Sequence, residues 1–196
     1  ELSGGKPVGF KLAIGSEDEF INICKAIQET DVIPDFITVD GGEGGTGAAP
    51  LEYTNHLGMP LRDALVFVVD TLNGFGLKKD IKVCASGRIT NGIDIAKNLS
   101  LGADLCASAR GMMFSLGCIQ SLQCHKNTCP TGIATQNTQL SNGIVVEDKK
   151  IRVKNYQENT VKSFIEIIAS AGIHDPKQLT RKFIYYRVSP TDYKRY

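Results

Sequence analysis

Hydrophobic positions along this chain switch between two periods, and the switching predicts its architecture. Val8-Gly-Phe-Lys-Leu-Ala-Ile14 is a short apolar run with one lysine inside it, the mark of a strand. Ser16 and Glu19 stand at capping-box spacing, and Phe20, Ile23, Cys24 and Ile27 then recur at helical spacing. Phe36-Ile-Thr-Val39 is a second strand, ending at Asp40 and leaving through a glycine-rich stretch from Gly41 to Pro50. Pro60 opens a helix whose stripe is Leu61, Ala64, Leu65, Val68 and Leu72, with Gly74 or Gly76 as its stop. Ile81 to Ala85 is a third strand. Thr90 is the expected cap of a helix that buries Ile93, Ala96 and Leu99, and Gly102 to Ala107 is a fourth strand.

A repeated strand–helix order means parallel strands joined by right-handed crossovers. Two architectures satisfy it, a doubly wound sheet and a barrel. Each strand here exits into a loop of small polar or glycine residues, which suits a barrel, where the chemistry sits on those loops. A closed barrel has eight units and about 250 residues. This chain of 196 residues supplies four units. Beyond about residue 140 the pattern changes. Gly143 to Val153 reads as a hairpin around Asp148-Lys149. Val161, Phe164, Ile165 and Ile168 mark a helix stopped near Gly172, and Asp175-Pro176 starts a short helical turn. Tyr185 to Tyr196 is polar and aromatic and is expected to cover a surface.

Composition narrows the class. The chain is 42% hydrophobic and 22% charged with a formal net charge of +1, a globular balance without the basic stripe of a nucleic-acid surface. No apolar run approaches the twenty or so residues that cross a bilayer. Glu1 to Pro7 lacks a signal pattern and an initiator methionine, so the chain is expected to be part of a longer protein. Cys24, Cys84 and Cys106 lie in apolar segments and read as small core residues, which favours a reducing, cytoplasmic setting over a secreted disulfide framework.

The other three cysteines carry chemistry. Cys118, Cys124 and Cys129 fall within twelve residues, spaced C-x5-C-x4-C and closed by Pro130. Thiolates gathered this closely suit iron–sulfur clusters or zinc, but a closed structural zinc site takes four ligands. Three suit a three-iron cluster, or a four-iron cluster with one non-protein ligand. Free thiols, or a disulfide plus one thiol, are the plain alternative. His125 is a further candidate ligand, although a lone histidine more often is none. The loops after the third and fourth strands, Ser86-Gly87-Arg88 and Ser108-Ala109-Arg110-Gly111, stand where barrels bind phosphate. Small residues there let backbone N–H groups approach the oxygens, and either arginine can add a bidentate contact. Two tight turns with solvated arginines are the plain alternative. Lys11, inside an apolar strand, needs a polar cavity or an exposed strand end. Such a lysine can face the pyrimidine edge of a flavin. The glycines of 41 to 47 can wrap a ligand, with Asp40, Glu43 or Thr46 as polar contacts, or form a surface loop.

Val8-Gly-Phe-Lys11-Leu, Asp40-Gly-Gly-Glu-Gly-Gly-Thr-Gly-Ala-Ala-Pro50, Ala85-Ser-Gly-Arg88 and Cys118-x5-Cys124-His-x-Asn-x-Cys129-Pro-x-Gly-x-Ala-Thr135-Gln136 together resemble the FMN-binding synthase domain of glutamate synthase. The resemblance covers about residues 5 to 140. It implies the α/β fold of an FMN-dependent, aldolase-like (βα)8 TIM barrel, with the last four βα units present in 1–140 and a hairpin and helical extension in 141–196. It implies two cofactors, FMN and a 3Fe-4S cluster. The implied reaction joins 2-oxoglutarate and ammonia as 2-iminoglutarate and reduces it to L-glutamate with a hydride from FMN. The implied electron donor is ferredoxin or an NAD(P)H-dependent partner.

Residue by residue, the resemblance makes Cys118, Cys124 and Cys129 the cluster ligands and places Lys11 against FMN or the oxoacid. Gly87 and Arg88, with Ser108, Ala109 and Arg110, hold the FMN phosphate. Gly44, Gly45, Thr46 and Gly47 line the flavin and substrate pocket. The chain departs from the family pattern at Thr38, where glutamine is usual, and at Ser86-Gly87-Arg88, where Asp-Gly-Gly is usual. It carries no N-terminal nucleophilic cysteine for glutamine hydrolysis. An IMP-dehydrogenase-like barrel is a weaker reading, because residues 41 to 58 lack the cysteine it needs. A catalytically inactive half-barrel is the other alternative. Its open strand edges would pair with the missing N-terminal half or with a second copy.

Overall fold

The computed structural model describes residues 2–43 and 52–196. In chain order the elements are β1 (Gly9–Ala13), α1 (Glu17–Thr30), β2 (Phe36–Asp40), α2 (Leu61–Gly74), β3 (Lys82–Ser86), α3 (Gly92–Ser100) and β4 (Leu105–Ala107). They are followed by α4 (Arg110–Leu116), α5 (Thr138–Ser141), α6 (Val146–Ser170), β5 (Tyr185–Arg187) and β6 (Tyr193–Arg195). β1 to β4 form one parallel sheet in the order β1-β2-β3-β4. A doubly wound sheet reverses its strand order at a switch point. This sheet runs in one direction only, so it is four consecutive units of a (βα)8 barrel.

Period-two alternation decides which strand residues meet the helices. Ile37, Val39, Val83 and Ala85 are fully buried against a layer that includes Phe20, Cys24, Leu65, Val68 and Leu72. Each of the larger aliphatic and aromatic side chains among them stabilises the fold by about 1.5–3 kcal/mol through burial. Leu65→Ala, at a fully buried position of α2, would cost about 2–5 kcal/mol. The intervening strand residues point to the other face. There Lys11, Thr38, Cys84 and Leu105 lie in register across the four strands, and Leu105 is 57% exposed. Cys24 is a core residue as expected. Cys84 is not: it alternates with Val83 and Ala85 and so faces away from the helices.

Several local expectations change. Ser16 stands at the start of α1, but its side chain makes no capping bond. Asn91, not Thr90, caps α3: its Oδ1 accepts the Asp94 N–H at 2.9 Å. Ile93 is 47% exposed, because the buried face of α3 is set by Gly92, Ala96 and the flanking α6. The hairpin expected over residues 143–153 is corrected: from Val146 onward these residues are the first turns of the 25-residue α6. Ile151-Arg-Val153 mimics strand alternation, but helical charge spacing governs. Glu147 and Asp148 occupy the first turn, and Glu147–Lys150, Lys154–Glu158 and Lys162–Glu166 pair at i,i+3 or i,i+4.

The tail covers α2, as expected of its composition. Arg181 grips Asp70 through both guanidinium nitrogens, at 2.9 and 2.8 Å. The Tyr196 ring lies under the Arg62 guanidinium and beside Tyr186. Among the described residues, no helix is long and apolar enough to cross a membrane.

Candidate functional site

The loops at the carboxyl ends of β3 and β4 are joined to each other and to the rest of the molecule. Ser108 Oγ donates to the Ile89 carbonyl at 2.7 Å, tying one loop to the other. Arg110 Nη2 donates to the Glu43 carbonyl at 3.2 Å, reaching the start of the glycine-rich connection. Arg88 adopts a left-handed backbone, φ 47°, and its Nη2 donates to Asn55 Oδ1 at 2.6 Å. Left-handed backbone is costly for a residue with a side chain and gathers at ligand sites. Among the described residues, the backbone N–H groups of Gly87, Arg88, Ala109, Arg110 and Gly111 meet no acceptor. Donors with no acceptor among the described residues on two adjoining loops, with two arginines beside them, have the chemistry that receives a phosphate group.

Lys11 lies in the middle of β1, not at its end, and forms an ion pair with Asp40 Oδ2 at 2.7 Å. Their strands pair directly, with Lys11 opposite Thr38, so both charges sit on the open face of the sheet. Cys84 belongs to the same row. Burial pushes its thiol up, while the Thr38 side chain and the Lys11 charge oppose the rise. The row therefore offers a cation, a hydroxyl and a neutral thiol to whatever occupies the barrel interior.

The cysteine segment follows α4 through a left-handed Gly117. Cys118 Sγ accepts the Gln120 N–H at 3.5 Å. Cys124 opens a 3₁₀ turn with His125 and Lys126, all three exposed. Cys129 is 6% exposed, and its Sγ lies 3.3 Å from Thr131 Oγ1. Burial pushes the Cys129 thiol up. The Thr131 hydroxyl and the backbone N–H groups of Ala134, Thr131 and Ile133 outweigh it and bring the thiol down to about 7. A sulfur so surrounded suits an anionic ligand. The three thiols share one segment, yet among the described residues no three His, Cys, Asp or Glu side chains come together as a metal site. His125 adds no fourth group.

Gly44, Gly45, Thr46 and Gly47 lie outside the described residues. The residues that reading the sequence missed are the partners of the loops. Asn55 bonds Arg88 from within a connection with no recognisable motif. Tyr156 donates from α6 to the Thr90 carbonyl at 2.6 Å, and nothing in its local sequence marks it.

Residues 1–174 match the family model described as the conserved region in glutamate synthase. The chain is 42% identical over 184 residues to the glutamate synthase large subunit-like protein YerD of Bacillus subtilis, covering 94% of this chain and 35% of that protein. It is 33% identical over 174 residues to the archaeal glutamate synthase (NADPH) of Methanocaldococcus jannaschii, covering 89% of this chain and 33% of that protein. The chain thus spans about a third of the length of these curated relatives. A solved flavocytochrome b2 with benzoylformate superposes with a TM-score of 0.54 at 13% identity, covering 91% of this chain and 34% of that one. That likeness gives the barrel fold. By its family match and by its relatives, the chain belongs to the glutamate synthase family.

Proposed function

We propose that the chain is the flavin-phosphate half of a glutamate synthase-like oxidoreductase, reducing 2-oxoglutarate with ammonia to L-glutamate. The observation that carries the reading is the pair of joined loops after β3 and β4, whose N–H donors have no acceptor among the described residues. In this reading residues 1–140 are the half-barrel and 141–196 the extension that closes over its outer side. Gly87 and Arg88 address the FMN phosphate from one loop, and Ser108, Ala109 and Arg110 from the other. Bound FMN supplies hydride transfer to the imine carbon.

The chain's own residues bind and orient. Arg110 anchors the Glu43 carbonyl, and the residues that follow in sequence, Gly44, Gly45, Thr46 and Gly47, are the proposed flavin and substrate contacts. Lys11, held by Asp40, offers its ammonium to the flavin edge or to a carboxylate of the oxoacid. Thr38 gives the row a hydroxyl where the family usually has glutamine, a change that bears on which oxoacid fits. Cys118, Cys124 and Cys129 are the proposed ligands of a 3Fe-4S cluster. Ligand sets of this kind are completed by the metal itself. Electrons come from ferredoxin or an NAD(P)H-dependent partner in the cytoplasm.

The test uses the longest natural polypeptide containing this chain, loaded with FMN, iron and sulfide. A flavin spectrum with a broad added iron–sulfur band is expected. So is glutamate formation from 2-oxoglutarate, ammonia and a reduced dye. Lys11→Met should keep the flavin and lose about a hundredfold or more in turnover. Absence of flavin retention, or turnover unaffected by that substitution, would contradict the reading. The second reading is an inactive half-barrel that self-associates, and Leu105 on the open sheet face favours it. Colourless protein that elutes as a dimer would establish it.

A further inference from the structure

α6 has no part in holding a phosphate, yet one of its side chains reaches both phosphate-facing loops. Tyr156 is half-buried, and its single O–H is spent on the Thr90 carbonyl at 2.6 Å, between β3 and α3. The same hydroxyl fills the space beside Gly111, at the start of α4. A Cβ added at residue 111 would lie 2.1 Å from Tyr156 Oη, 2.9 Å from its Cζ and 2.8 Å from Ser108 Oγ. No real Cβ makes such contacts, so only glycine allows the tyrosine to approach. Ser108 in turn donates to Ile89. One hydroxyl from α6 and one from the β4 loop therefore meet beside Gly111, and each is bonded to a carbonyl of the loop after β3.

α6 is seated closely enough to act as a rigid support. At Gly92, the first residue of α3, an added Cβ would lie 2.5 Å from the Phe164 backbone nitrogen. Two glycines, one in each phosphate-side helix, are thus occupied by the same helix, and Tyr156 is the polar contact among them. A purely packing role would be served by phenylalanine. The hydroxyl instead links the Thr90 carbonyl to the space beside Gly111.

We infer that Tyr156 is a positioning residue of the phosphate cradle. It acts through Thr90 and Gly111, without touching the ligand, to set the preference for a phosphorylated over an unphosphorylated flavin. The inference rests on the reading of these loops as the FMN phosphate site. The probes are FMN and riboflavin, titrated by fluorescence quenching into the longest natural polypeptide that carries this chain. The variants are Tyr156→Phe, Gly111→Ala and the pair Gly111→Ala with Tyr156→Ala.

Tyr156→Phe should weaken FMN about tenfold, the scale of one lost hydrogen bond, and leave riboflavin unchanged. Gly111→Ala should weaken FMN further, and the double variant should recover part of that loss because the ring has left. If wild type prefers FMN to riboflavin and Tyr156→Phe keeps that preference within twofold, the inference is overturned while the phosphate reading stands. Equal weakening of both flavins also overturns it, as the mark of a general folding defect. If wild type shows no preference for FMN, the phosphate reading fails and the inference falls with it.

Discussion

The loops after β3 and β4 and the cysteine segment behind them differ in what holds them. Ser108 bonds across 19 residues, Arg88 across 33, Tyr156 across 66 and Arg110 across 67. The cysteine segment is tied mainly to itself. Asn127 accepts from Thr135 and from the Gln136 N–H, Thr128 bonds Gln123, and Cys129 meets Thr131. The sheet and α6 shape the first region before any ligand arrives. The second has its local turns and one prepared sulfur, but no assembled set of ligands. One region is braced through long-range bonds to the sheet and α6, the other through short-range bonds within its own turns, and this chain shows the two side by side.

The comparison breaks most visibly where α6 leaves α3. Gly92→Ala puts a Cβ into the Phe164 backbone, which cannot yield as a side chain would. It should cost about 3 kcal/mol in urea unfolding and weaken FMN binding, while leaving the cysteine turns intact by hydrogen exchange. Unchanged stability would show that α6 does not hold the loops. Ser108→Ala removes the bond between the loops and leaves the Ile89 carbonyl without its donor. About 1 kcal/mol of stability and about a tenfold loss of FMN affinity are expected, read by thermal unfolding and titration.

The cysteine side has its own counterpart. Asn127→Ala should raise amide exchange across residues 127–137 about tenfold, equivalent to about 1.4 kcal/mol of local opening. The global melting temperature should stay in place. A global shift would mean the segment is knit to the barrel after all. The smallest effect is a proton. Cys129 is brought down to about 7 from an ordinary 9.0. Its thiolate contribution to stability is therefore absent below pH 7, grows as pH rises between 7 and 9, and is full above 9. Thiolate absorbance near 240 nm, recorded on iron-free protein, should show one step near pH 7 that Cys129→Ser removes. A step only near 9 would deny the backbone cradle around this sulfur. Cys24 offers the contrast: burial alone pushes it up to about 11.

Much of this was legible in the chain, for physical reasons. The strands and the helices of the four units announce themselves because a helix or strand with one buried face must repeat its apolar positions. The exits of β3 and β4 were legible because Ser86-Gly87 and Ser108-Ala109 break the apolar pattern of the strands before them. α6 was misread over its first turns because Ile151-Arg-Val153 alternates like a strand, while its true packing face runs through Tyr156, Ser163 and Phe164 and is only weakly apolar. Cys84 reads as core because its neighbours are, although one residue's shift along a strand reverses the face. Asn55 and Tyr156 left no signal, since their partners are backbone or lie far away in sequence. The C-x5-C-x4-C spacing does not fix how the three thiols stand relative to one another, because the turns between them set that geometry.

The central claim is that one anion sits between the two strand-end loops. A crystal structure of the longest natural polypeptide containing this chain, grown with FMN, tests it most directly. The expected density places the phosphate against the backbone of Gly87 and Arg88 on one side and of Ala109 and Arg110 on the other, with Tyr156 still bonded to Thr90. A phosphate bound elsewhere on the barrel, with these N–H groups facing only water, would contradict the account.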